Sequence, residues 1–108
     1  MASWLIIESL DPFDCKDVEG TLELSSQLAG KGEKVALFLV QNGVFLARPN
    51  AASDRLAAPV RAGVEVLADE FSLRERGIDR ARLAPSVKAA PIDRVVDCLE
   101  EGRKALFL

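Results

Sequence analysis

Val35-Ala36-Leu37-Phe38-Leu39-Val40 is six apolar residues without a polar break, stopped by Gln41-Asn42-Gly43. A strand with one wet face alternates apolar and polar side chains. A run apolar at every position needs cover on both sides, as in a parallel sheet between layers of helix. Trp4-Leu5-Ile6-Ile7, stopped by Leu10-Asp11-Pro12, reads the same way, and Val64-Glu65-Val66-Leu67-Ala68 supplies a third strand after Gly63. Val87-Lys88-Ala89-Ala90 is a weaker fourth, and Lys104–Leu108 a fifth.

Helical patterns fill the intervals. Asp17 is placed to cap a helix carrying Val18, Leu22, Leu24 and Leu28, closed by Gly30-Lys31-Gly32. Val44–Ala47 predicts a short helix ended by Pro49, and Ser53 can cap another piece through Leu56 and Val60, limited by Pro59. Asp69 caps a helix with Phe71 and Leu73 that Gly77 closes. Pro91 opens the last helix, where Ile92, Val95, Val96 and Leu99 follow i, i+3, i+4, i+7 and predict a core-facing stripe; Gly102 ends it. Strands alternating with helices predict a three-layer α/β/α domain over residues 1–108, with a mostly parallel five-stranded sheet. Strand order is left open.

The chain has 108 residues, 49% hydrophobic and 29% charged, with a net charge of -3, which suits one folded domain and excludes disorder. It has no histidine and no tyrosine, and its two cysteines are far apart. A Ser-His-Asp or Cys-His pair cannot be assembled from it, nor a histidine-bearing or four-cysteine metal site. No metal or cofactor is expected. The acidic balance gives no footprint for direct nucleic-acid binding. No apolar run reaches the roughly 20 residues of a membrane span, and sparse cysteines suit a reducing cytoplasm. The basic stretch Arg74, Arg76, Arg80 and Arg82 is a solvated rim or a dock for an acidic partner.

In a parallel sheet, ligands bind outside the carboxyl ends of the strands. The loops gathered there bring Asp11, Cys15, Lys16, Gln41, Asn42, Gly43, Asp69 and Glu70 forward as site residues. Cys15 is the candidate catalytic residue. A thiolate beside a helix N-terminus is stabilised by the helix dipole and by Lys16, opposed by Asp14 and Asp17, and can attack a donor's sulfur–sulfur bond to become a persulfide. Cys98, beside the last helix's stripe, reads as a buried small hydrophobe. Asp11 and Asp69 after two strands suggest a phospho-acceptor pair, but the further acidic pair and the lysine of such a site are missing. Ala29-Gly30-Lys31-Gly32 follows a helix and lacks phosphate-loop spacing.

Laid out in order, Asp11-Pro12-Phe13, Leu37–Val44, Val66–Glu70 running into Arg74–Ile78, the Val87 strand, the Asp93–Cys98 helix and the Ala105–Leu108 strand make the chain similar to the DsrE/DsrF/DsrH family of sulfur-relay proteins. It most resembles the DsrH (TusB-like) branch. The resemblance implies dimers, or hexamers of related subunits with DsrE/DsrF-like partners, that pass persulfide sulfur from a donor to an acceptor protein in tRNA 2-thiolation or sulfur oxidation. It also sets Asp69 where DsrE-type subunits carry their sulfur-bearing cysteine, and Thr21 where DsrH-type subunits often carry one. Those replacements imply a structural or weakly active subunit. Val44–Ala47 and Arg74–Arg82 are then candidate contacts. The alternatives are a working carrier through Cys15, which would be sulfurtransferase-like, and a stand-alone ligand-binding domain using Gln41-Asn42-Gly43.

Overall fold

A computed structural model describes residues 2–49 and 51–108, and at 51–53 the backbone alone. Strands β1 (Ser3–Glu8), β2 (Lys34–Leu39), β3 (Glu65–Asp69), β4 (Val87–Ala90) and β5 (Lys104–Phe107) form one sheet in the order β4-β3-β2-β1-β5. Every neighbouring pair is parallel, with Ile6 opposite Leu37 and Phe107 opposite Ile7 on the two sides of β1. The expected α/β architecture is present, and the sheet is wholly rather than mostly parallel.

Side-chain alternation divides the core in two. Ile6, Leu37, Leu39, Val66 and Ala68 pack with Val18 and Leu22 of α1 (Asp17–Gly30), while Leu5, Ala36, Phe38 and Leu67 pack with Cys98 of the last helix. The two layers are very unequal. Beside α1, the first face carries the 3₁₀ turns Gln41–Ala47 and Ala51–Leu56, then α2 (Ala57–Ala62) and α3 (Glu70–Glu75). Its cluster takes in Val44, Leu46, Leu56 and Leu73. Among the described residues, the second face has α4 (Asp93–Glu100) alone.

The inequality follows from the strand order. From β1 to β4 the chain steps in one direction, so right-handed crossovers lay their connections on one face; the single return from β4 to β5 crosses the other. A single crossover helix lies roughly along the strands and with its side chains is about 10–12 Å across, whereas five strands at about 4.8 Å spacing make a sheet roughly 19 Å wide. One short helix cannot roof that face.

Several local expectations change. Lys16, not Asp17, is the N-cap of α1 and makes no side-chain cap; Asp17 is the first helical residue, favourable there only through the helix dipole. Val44, Leu46 and Ala47 are fully buried rather than available as contacts, because the 3₁₀ turn folds them under the first face. In α4 the stripe Ile92, Val96 and Leu99 points outward, each at least half exposed, while Cys98 faces the sheet and Val95 is half-buried. Pro59 is third in α2, inside the first turn that tolerates proline. The Ser53 cap lies outside the described side chains. After α1, Gly32 at φ 86° takes the left-handed turn as expected.

Candidate functional site

Parallel pairing brings the loops after β1, β2, β3 and β4 to one edge of the sheet, where they divide between its two faces. On the α4 face, β3 ends at Asp69, which is buried and caps α3: Ser72 donates to its Oδ2 through both backbone N–H (3.0 Å) and hydroxyl (2.7 Å). The Ser72 hydroxyl oxygen accepts the Gln41 N–H at 2.8 Å. Gln41 is left-handed at φ 50°, a costly conformation for a residue with a side chain, and this bond holds it there. A continuous chain thus runs from the β2 loop through Ser72 to Asp69, giving one oxygen of a buried carboxylate, Oδ2, two neutral donors.

Arg76 closes the arrangement, donating Nε to Asn42 Oδ1 (3.0 Å) and Nη1 to the Ser72 carbonyl (3.3 Å). Gly43 is packed so tightly on the end of β1 that a Cβ would collide with the Glu8 carbonyl oxygen, which also accepts from Val40. Any other residue would push the loop off the sheet. Glu70 turns away, paired with Arg80 at 2.8 Å.

A cleft of about 460 Å³ opens beside this network, lined by Ile7, Val40, Gln41, Asp69, Phe71, Ser72, Glu75, Ile92, Val95 and Phe107. It is apolar on most sides, and among the described residues its charged groups are Asp69 and Glu75. No thiol lines it. Cys15 stands across the sheet: it is half-buried, packs on the α1-side core, and its N–H is held by the Asp11 carbonyl (3.0 Å). Asp11 organises that turn itself, accepting the Phe13 N–H on Oδ1 at 2.8 Å.

The structure therefore brings Gln41, Asn42 and Asp69 together, gives Gly43 a supporting role under them, and sets Cys15 and Asp11 on the other side. Among the described residues, no three His, Cys, Asp or Glu side chains stand close enough to share a metal ion. Sequence reasoning missed Ser72 and Arg76. Ser72 had a signal, a hydroxyl three residues after a capping aspartate; Arg76, read as part of a charged stretch, had none.

No family model matches the chain, and no curated protein matches it. Solved structures do. The ychN protein of E. coli superposes with a TM-score of 0.87 over 100% of both chains at 18% identity. A protein of unknown function from Methanobacterium thermoautotrophicum gives 0.81 over 99% of this chain and 98% of that one, also at 18%. Another, from Bacteroides thetaiotaomicron, gives 0.74 over 98% and 94% at 13%. At such identities the likeness is one of fold.

Proposed function

We propose that residues 1–108 form a DsrE/DsrH-like domain, nearest the DsrH/TusB type, that serves as a structural or weakly active subunit of an intracellular sulfur-relay assembly. Its partners are further copies of itself or DsrE/DsrF-like subunits. The assembly is of the tRNA 2-thiolation or sulfur-oxidation type. The fold shared with ychN supports the reading, and no helix among the described residues is long and apolar enough to cross a membrane.

One observation carries the proposal: the thinly roofed second face. Phe71, Ile92, Val96, Leu99 and Phe107 are half or more exposed there, Phe107 at 70%. Phe71, Ile92 and Phe107 share the cleft beside Asp69, and Ile92, Val96 and Leu99 are i, i+4, i+7 on α4 and its approach. Covering the wet half of each side chain stabilises by roughly 1 kcal/mol, and a symmetric pairing counts both copies. The total, on the order of 10 kcal/mol, is comparable with the cost of association.

The structural role rests on the cleft's chemistry. A relay subunit that carries sulfur needs a thiol at the site it presents, and Asp69 and Ser72 offer instead a carboxylate whose Oδ2 is held by two hydrogen bonds. The alternative, a carrier working through Cys15, is favoured by that residue's partial exposure two positions before α1. Incubation with a cysteine desulfurase and cysteine, read by intact mass, separates the two. The structural reading expects no gain of a sulfur atom. A gain that Cys15→Ser abolishes would establish the carrier instead.

A further inference from the structure

We propose that a second cleft, between the end of β1 and the first turns of α1, binds a small organic primary ammonium, with the Glu8 carboxylate as its acceptor. Glu8 ends β1, whose Leu5 and Ile6 are buried, and is itself 1% exposed. Strand alternation places it with Trp4 and Ile6 on the α1 face. One carboxylate oxygen, Oε2, accepts the Leu10 N–H at 3.1 Å. The other, Oε1, is buried and has no hydrogen-bond partner among the described residues. A buried carboxylate oxygen is costly without a donor, and Glu8 lines a cleft of about 450 Å³ from which one can come.

The cleft's lining sets the class of ligand. Its ionisable side chains are Glu8 and Asp17, with no lysine or arginine among the described lining residues, so the local charge favours a cation. Thr21 adds a hydroxyl whose proton points to the Asp17 carbonyl at 3.4 Å, leaving oxygen lone pairs to accept. Leu10, Leu24 and Leu108 give apolar walls that suit an alkyl stem. A planar guanidinium is recognised through both oxygens of a carboxylate, and here Oε2 is already engaged; a point-like ammonium needs only the free one. Gly20 stands at the rim, where an added Cβ would meet nothing within 4 Å, so the entrance is open.

This inference does not depend on the sulfur-relay reading. The test is titration of the ¹⁵N-labelled protein with n-butylammonium chloride, following the Leu10, Gly20 and Thr21 amides, against n-butanol and sodium chloride at matched concentrations. The expected result is saturable shifts with the amine alone, weakened about tenfold or more by Glu8→Gln, as for a lost charged hydrogen bond. Gly20→Leu, which fills the rim at a helical position that accepts leucine, should abolish the shifts while the rest of the spectrum stays folded. Absence of saturable shifts, equal shifts with butanol, or unchanged affinity in either variant would overturn the proposal.

Discussion

Asp69 does two tasks with one carboxylate: it caps α3 and anchors the hydroxyl that holds Gln41 in its left-handed turn. Asp69→Ala should therefore lower the urea-unfolding free energy by about 1–3 kcal/mol, more than a cap alone, because the Ser72 hydroxyl is left buried without its acceptor. Gly43→Ala should cost about as much, roughly 1–3 kcal/mol, by forcing the loop away from the Glu8 carbonyl. The cap at Asp69 was legible because an aspartate directly after an apolar run, with helical spacing beyond it, has few other uses. The hydrogen-bond chain was not, since it joins residues 31 positions apart. Glu8 was hidden for a similar reason: in sequence it looks like the polar end of a strand, and only the packing of α1 over it makes it buried.

At the scale of elements, continuous apolar runs identified the strands because a covered parallel strand is apolar at every position. The α4 stripe was read correctly as helical and wrongly as core. Periodicity reports that one side of a helix avoids water, not what excludes the water. Val44–Ala47 shows the reverse error, since a short apolar segment in a loop carries no periodicity to say that it folds inward. Beyond α4, the turn into β5 is tied by charge. Glu101 contacts Arg103, Lys34 and Arg94. Its partial desolvation would raise its pKa, but Arg103 first, then Lys34 and Arg94, outweigh that and hold it below the usual carboxylate range. A carboxylate depressed in the folded state contributes stability above its unfolded pKa and loses it as pH falls through the lower folded value. Glu101→Gln should therefore shift the urea midpoint down at neutral pH, and the difference from the unmutated chain should vanish on acidification. A difference independent of pH would remove the ion pairs from the account.

For the whole molecule, the strand order decides most. Three connections on one face and a single return on the other leave an apolar surface that the described residues do not cover. No sequence pattern encodes that order directly, which is why the fold class was legible and the uncovered face was not. The outward residues of α4 should contribute little to the fold of one chain and much to its association. Val96→Glu with Leu99→Glu should keep the helical circular-dichroism signal and shift the thermal midpoint only through lost assembly. Sedimentation equilibrium at micromolar concentration tests the central claim most directly. The account predicts a dimer or larger species for the unmodified chain and a folded monomer for the Val96→Glu, Leu99→Glu variant; an unmodified chain that sediments as a strict monomer, or a variant that assembles as before, would contradict it.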